Sequence, residues 1–162
     1  MGRRQIGLKL VMDHLGLPVK LDTFGDRLIL QKAIYCAQAA GVDLGYFYRW
    51  YLRGPYCPAV AEDGFAVRDE AAQGIDESAS WALDESSAGK LARIRDLLDD
   101  HRDDLEVQLE LLASVHFLID HGQVTGRDPA QIAQTLKRFN KPFTKSQVKD
   151  AIGEMNSHGI PS

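Results

Sequence analysis

An aromatic and basic segment carries the clearest recognition chemistry in this sequence. Residues 46–56 contain four of the five tyrosines and one of the two tryptophans. Within this segment Phe47, Arg49, Tyr51 and Arg53 alternate with other residues, so an extended strand would place all four on one face. A guanidinium group held against an aromatic ring can bind a carboxylate or a phosphate. The segment therefore predicts a surface that recognises a partner rather than a catalytic centre.

The histidines and cysteines do not form a pattern that is typical of catalysis or metal binding. His116 and His121 are five residues apart and do not share a helix face, which argues against zinc. His116 falls among leucines on its helix face, which favours a hydrogen-bonded core histidine over a general base. Cys57, at the predicted start of a helix, could carry a stabilised thiolate, but no histidine can be placed beside it. We therefore expect no enzyme activity, no catalytic residue, no metal and no cofactor.

Acidic residues are concentrated in the middle third of the chain. Residues 62–110 contain 15 acidic and five basic residues, whereas the segments on either side are both net basic. Asp99, Asp100, Asp103 and Asp104 flank a predicted helix boundary within this block. One interpretation is a solvated surface. The other is a surface that mimics nucleic-acid phosphates and engages the basic groove of a nucleic-acid-acting toxin.

The composition is that of an ordinary soluble globular domain. The chain has 162 residues, a formal net charge of −4 and 44% hydrophobic residues, with no apolar run long enough to cross a membrane. Its two cysteines lack a metal or redox spacing, which fits a reducing compartment. We expect one domain over residues 1–162, a cytoplasmic location and no membrane partner.

Hydrophobic periodicity and capping residues predict a mainly α fold. Thr23 with Asp26, and Thr144 with Gln147, have the spacing of capping boxes, and Pro129 suits the first position of a helix. The helix at 104–121 is apolar on two stripes and is predicted to be the central buried helix. Helices are predicted at residues 5–15, 24–40, 58–73, 88–100, 104–121 and 129–139, and from residue 145 onwards.

One extended segment follows the second predicted helix, and Gly54-Pro55 is predicted to turn the chain after it. Tyr46, Tyr48, Trp50 and Leu52 are predicted to face the core, and residues 80–83 are a candidate partner strand. The predicted architecture is a compact single-domain helical fold of about six to seven helices with a short aromatic strand or hairpin.

The C-terminal helix pair suggests an alternative function. Its turn at residues 140–142 joins two helices that are rich in basic residues, as in a helix-turn-helix that binds nucleic acid. Against this interpretation, the turn lacks the usual glycine and the acidic middle third would repel DNA. The basic residues are Arg127, Lys137, Arg138, Lys141, Lys145 and Lys149.

Several short motifs resemble the YwgA-like and Panacea (SocA-like) superfamily of small helical domains. They are Leu30-Gln31-Lys32 followed by Tyr35, then Gly54-Pro55-Tyr56 with Pro58, then Glu62-Asp63. The segments 110–118 and 141–144 are also similar, so the resemblance covers residues 24–155. The position of Cys57 commonly carries Ser in this pattern, an ordinary helix cap.

The resemblance implies a non-catalytic module of bacterial and archaeal conflict loci, several members of which act as antitoxins. One related arrangement follows a macrodomain in antitoxins that restrain DNA-modifying ADP-ribosyltransferase toxins. The implied partner is a protein, a cognate toxin such as a nucleic-acid-modifying enzyme, with direct nucleic-acid binding as the alternative. The Gly54–Pro58 motif is either a rigid strand-to-helix connection or a partner contact. The candidate partner-binding residues are Gln31, Lys32, Tyr35, Arg49, Tyr51, Arg53, Gly54, Pro55, Tyr56, Pro58, Asp99, Asp100, Asp103 and Asp104.

Overall fold

The computed structural model describes residues 1–52 and 54–161, in which seven α-helices pack together with one small β-hairpin. The described elements are α1 (Arg3–His14), α2 (Phe24–Ala39), β1 (Arg49–Tyr51), β2 (Gly54–Tyr56), α3 (Pro58–Ala72), α4 (Glu85–Asp99), α5 (Leu105–Asp120), α6 (Pro129–Arg138) and α7 (Lys145–Ser157). Short 3₁₀ helices lie at Glu77–Ser80 and Arg102–Asp104. The predicted mainly α fold with a hairpin after the second helix is confirmed.

Helices α2 and α5 form the centre of the fold and pack against each other. In α2 every residue from Leu30 to Ala37 is buried, and in α5 every residue from Gln108 to Leu118 is buried except Glu110. A helix that is buried on most sides needs apolar residues around its circumference, and the two stripes of α5 supply them. The prediction that α5 is the central helix is confirmed.

The predicted caps define where several helices begin. Thr23 Oγ1 accepts a hydrogen bond from Asp26 N at 3.0 Å, and Thr144 Oγ1 accepts one from Gln147 N at 3.1 Å. Helix α4 begins three residues earlier than predicted. Asp84 accepts a hydrogen bond from Ser87 N, so this aspartate, rather than a later residue, satisfies the free N–H groups of the first turn.

The strand pairing differs from the prediction. Strand β1 pairs antiparallel with β2, in the register Arg49 with Tyr56, Trp50 with Pro55 and Tyr51 with Gly54. Residues 80–83 are not a strand: Ser80 ends a 3₁₀ helix, and no regular structure follows until α4. Gly54 and Pro55 are part of β2 and are not the predicted turn.

The alternating burial of the aromatic segment is confirmed only in part. Tyr46 and Tyr48 are buried and Trp50 is half-buried, as predicted. Leu52 is 79% exposed and the prediction for it was wrong, because the strand ends at Tyr51 and Leu52 lies at the tip of the hairpin. None of the described helices combines the length and the hydropathy that a membrane span requires.

Candidate partner-binding surface

Gln31 joins α2 to the connection between β2 and α3. Its Nε2 donates to the Cys57 carbonyl oxygen at 2.8 Å, and its Oε1 accepts from Cys57 N at 3.0 Å. Cys57 is the N-cap residue of α3 but offers no side-chain cap. The buried side-chain amide of Gln31 therefore holds both backbone groups of Cys57. The Tyr48 hydroxyl donates to the backbone carbonyl oxygen of Gln31 at 2.7 Å. Gln31 thus braces the hairpin from within.

Lys32 holds β2 through the backbone of Pro55. Its Nζ donates to the Pro55 carbonyl oxygen at 2.6 Å, and the side chain is only 2% exposed. Burial and, to a smaller extent, the positive charge of Lys141 lower the pKa of Lys32 to about 8, while Glu110 opposes the shift. Lys141 is also buried and forms an ion pair with Glu110.

Gly54 is packed tightly above this polar cluster. Its φ of +90° is in the region that favours glycine, and a Cβ at this position would lie 2.6 Å from Ser114 Oγ. Ser114 Oγ is buried and has no hydrogen-bond partner among the described residues. β2 therefore lies directly on α5 with no room for a side chain at Gly54. The polar groups below it are two ammonium groups, one carboxylate and one hydroxyl.

Tyr35 also faces the interior. Its hydroxyl lies 2.7 Å from His116 Nδ1, and its ring packs edge-on against Tyr48 with centroids 5.1 Å apart. Burial raises the pKa of Tyr35 and lowers the pKa of His116, which favours a hydrogen bond between a neutral hydroxyl and a neutral imidazole. The prediction that His116 is a hydrogen-bonded core histidine is confirmed.

Asp63 anchors the segment before β1, a role that the sequence analysis did not identify. Its Oδ2 accepts from the Tyr46 hydroxyl and from Arg4 Nε, each at 2.7 Å, and its Oδ1 accepts from Gln5 Nε2 at 3.2 Å. These contacts connect α1, α3 and the aromatic segment. Because Arg4 and Asp63 are 59 residues apart, no local spacing could have revealed the pair.

The outer surface of the hairpin is exposed and aromatic. Arg49 Cζ lies 5.8 Å from the centroid of the Phe47 ring, and the Tyr51 and Tyr56 rings are 5.6 Å apart. Phe47 and Tyr51 are 77% and 61% exposed. We call this surface the hairpin face; it encloses a depression of about 540 Å³ that is lined by Phe47, Arg49, Trp50, Tyr51, Tyr56 and Pro58.

A second concave region, the apolar cleft, lies between α2 and the hairpin. It has a volume of about 310 Å³. Tyr51 and Tyr56 border both this cleft and the hairpin face. The cleft is assembled from segments that are distant in sequence, and so it was not predicted. Its lining residues are Leu21, Phe24, Arg27, Leu28, Leu30, Gln31, Lys32, Tyr51, Leu52, Tyr56 and Ala61.

The four candidate aspartates lie elsewhere, at the corner between α4 and α5. All four are exposed; Asp99 accepts from Arg102 Nη2 at 2.6 Å, and Asp104 lies 3.7 Å from His101. Ten residues of helix, about 15 Å, separate Asp104 from Ser114, against which the hairpin packs. The structure therefore does not bring this acidic corner together with the hairpin face.

The basic residues of the C-terminal helix pair are not all at the surface. Lys141 is buried beneath the hairpin, whereas the other five are exposed. Within the described part of the chain, no group of three His, Cys, Asp or Glu side chains could hold a metal ion.

The candidate residues thus separate into distinct groups. Gln31, Lys32, Tyr35, Gly54 and Pro55 are buried and hold the hairpin in place. The hairpin face includes Arg49, Tyr51, Tyr56 and Pro58. The prediction for Arg53 lies outside the described residues. No family model, no curated protein and no solved structure matches this chain.

Proposed function

We propose that this chain is a protein-binding module of antitoxin type that occludes a toxin through the hairpin face. The observation that carries the proposal is the exposure of two aromatic side chains on this face: Phe47 and Tyr51 are 77% and 61% exposed, and Leu52, next to Tyr51 in the sequence, is 79% exposed. Neighbouring exposed apolar side chains mark interaction sites in soluble proteins. Aromatic residues and arginine are enriched at the energetic centres of protein interfaces, and Arg49 stands among these rings.

The hairpin is held as a rigid support for this surface. Buried hydrogen bonds from Gln31 and Lys32 fix β2 and its exit, and those of Tyr46 and Tyr48 fix the segment that leads into β1. A surface that is already ordered loses less conformational entropy when a partner binds. This arrangement supports a binding function for the outer side chains and a bracing function for the inner ones.

The antitoxin assignment rests on the sequence resemblance, and the contact surface rests on the geometry. The four exposed aspartates of the acidic corner are a second contact only if the toxin presents a basic groove. Arg102 already neutralises part of the charge of Asp99, which weakens nucleic-acid mimicry as the main mode of binding.

The test is a binding measurement on the protein products of the genes that adjoin this one. Arg49→Ala and Tyr51→Ala should each weaken the complex by about 1–3 kcal/mol without changing the unfolding transition. In cells in which the toxin arrests growth, neither variant should restore growth as the wild type does.

The matched control is Phe65 and Arg68 on α3. Arg68 Cζ lies 4.9 Å from the centroid of the Phe65 ring, which is the same type of contact as that of Arg49 with Phe47. Phe65→Ala and Arg68→Ala should leave binding unchanged. Equal losses from both pairs, or full binding by the Arg49 and Tyr51 variants, would contradict the proposed contact surface.

A further inference from the structure

The apolar cleft has the size and lining of a small-molecule site. Its volume of about 310 Å³ lies at the lower end of the range of ligand pockets, which are mostly apolar and contain a few fixed polar groups. Leu21, Leu28 and Leu30 supply apolar walls, and Ala61 leaves space on the α3 side. The cleft could hold one short hydrocarbon chain.

The charged side chains that line the cleft are cationic. Lys32 contributes to its lining and Arg27 stands at its exposed edge, where Arg27 Nη1 donates to the Leu21 carbonyl oxygen at 2.9 Å. No aspartate or glutamate is among the lining residues. An anionic ligand would therefore meet attraction from two cations and no repulsion from a carboxylate in the wall.

Lys32 has hydrogen-bonding capacity to spare. An ammonium group has three N–H donors, and among the described residues the Pro55 carbonyl oxygen is the acceptor for one of them. Glu110, the carboxylate nearest to this cluster, forms its ion pair with Lys141. Two buried ammonium groups therefore lie near one carboxylate, and among the described residues Lys32 has no ion-pair partner.

We propose that the apolar cleft binds a small carboxylic acid with an unbranched apolar tail, of the medium-chain fatty-acid class. The carboxylate accepts hydrogen bonds from Lys32 Nζ, with Arg27 at the edge of the cleft. The tail packs against Leu21, Leu28 and Leu30. Arg49 does not line the cleft, although Tyr51 and Tyr56 border both the cleft and the hairpin face, and the proposal goes beyond the proposed function.

The affinity for the carboxylate should depend on pH, because the groups around Lys32 set the pKa of its ammonium group. The charged groups that act on it are Lys141 on the α6–α7 connection, Glu110 on α5 and the Cys36 thiol on α2. Since the pKa of Lys32 is about 8 in the free protein, an anion that needs the ammonium form should bind fully near pH 6.5. Its affinity should be about tenfold weaker at pH 9, because the ammonium group must then first be protonated.

The experiment is calorimetric titration of the full chain with octanoate, octanol and octylamine at pH 6.5 and pH 9. Octanoate should bind at pH 6.5 at least about tenfold more tightly than octanol, because a charged hydrogen bond is added to the same tail. Octylamine should not bind. Failure of octanoate to bind, or equal affinity for octanoate and octanol, would overturn the proposal.

Two variants separate the head from the tail of the site. Lys32→Met should reduce the affinity for octanoate about tenfold or more and leave that for octanol unchanged, and Lys20→Met, at an exposed position, is the control. Ala61→Phe should fill the cleft and abolish both. If Lys32→Met does not fold, the pH series and Ala61→Phe decide the question. Unchanged octanoate binding by Ala61→Phe would place the ligand elsewhere.

Titration with N-acetyl-leucine distinguishes a fatty acid from a peptide C-terminus, both of which present a carboxylate. It carries a carboxylate on a peptide-like body, whereas octanoate carries it on an alkyl chain. Tighter binding of N-acetyl-leucine than of octanoate would assign the cleft to a peptide terminus and contradict the fatty-acid class. The Arg49→Ala variant should bind octanoate as the wild type does, so this proposal and the toxin contact can fail independently.

Discussion

The inner and outer sides of the hairpin place polar side chains in opposite environments. On the inner side Gln31 and Lys32 have their polar atoms bonded to the backbone of the hairpin and its exit, and both are buried. On the outer side Arg49 and Tyr51 are exposed. A conspicuous motif can therefore support a surface whose contact residues lie elsewhere in the sequence.

The largest expected effect comes from removing the carboxylate of the inner side. Glu110→Gln leaves Lys141 and Lys32 buried without a counter-charge, and we expect a loss of about 3–5 kcal/mol in the free energy of unfolding. Denaturant unfolding measures it. Asp99→Asn removes an exposed ion pair with Arg102 and should cost less than about 1 kcal/mol. Similar costs for the two variants would mean that Glu110 stabilises the fold no more than an exposed ion pair does.

The next effect isolates the close approach of β2 to α5. Gly54→Ala combines a positive φ with a Cβ that would lie 2.6 Å from Ser114 Oγ, whereas Gly74→Ala has a positive φ and nothing within 4 Å. Thermal or denaturant unfolding should show Gly54→Ala to be the less stable by about 1–3 kcal/mol. The double variant with Ser114→Ala should recover part of this loss. If both glycine variants have equal stability, the contact with α5 is not tight.

The titration of Lys32 should produce a smaller effect that grows with pH. Its folded-state pKa of about 8 lies below the value of about 10.4 in an unfolded chain. Between these values the unfolded state binds more protons, so this residue makes the protein more stable as pH rises, by at most about 1.4 kcal/mol per pH unit.

Other groups oppose this trend, and a difference measurement removes them. Burial raises the pKa of Cys36 to about 12, and its thiol therefore lowers stability as pH rises above 9. Lys32→Met retains Cys36, so subtracting its free energy of unfolding from that of the wild type isolates Lys32. That difference should rise from pH 8 to pH 10. A difference that stays flat would place Lys32 in contact with water.

The smallest effect on stability is expected at the acidic corner. Changing Asp99, Asp100, Asp103 and Asp104 together to Asn should alter the free energy of unfolding by less than about 1 kcal/mol, because all four are exposed. If the corner engages a basic groove of the toxin, the same variant should associate more slowly and with a weaker dependence on salt. Stopped-flow association across a salt series measures this. Unchanged rates and an unchanged salt dependence would mean that the acidic corner is a solvated surface.

The sequence predicted best those features that depend on neighbouring residues. The capping pairs at Thr23 and Thr144 act over three positions, and both were identified from spacing alone. The partner of β1 was predicted wrongly because Gly54 and Pro55 were interpreted as the turn. Both residues instead belong to β2, where Gly54 pairs with Tyr51 and Pro55 pairs with Trp50.

The candidate site was harder to predict because it depends on contacts between distant segments. Lysines are almost always exposed, and nothing in the local sequence shows that Lys32 and Lys141 are buried. Their environment is created by α5, which supplies Glu110 and Ser114 beneath β2. The alternation of the aromatic segment did identify the exposed Phe47, Arg49 and Tyr51, since a strand exposes every second residue.

Tyr51 and Tyr56 form a shared wall between the hairpin face and the apolar cleft. A molecule that occupies the cleft and turns either ring also changes the shape of the surface on the other side. Thermodynamic linkage then requires reciprocity: the factor by which the ligand changes affinity for the partner equals the factor by which the partner changes affinity for the ligand. Two aromatic rings would thereby make the binding of a protein responsive to the concentration of a metabolite.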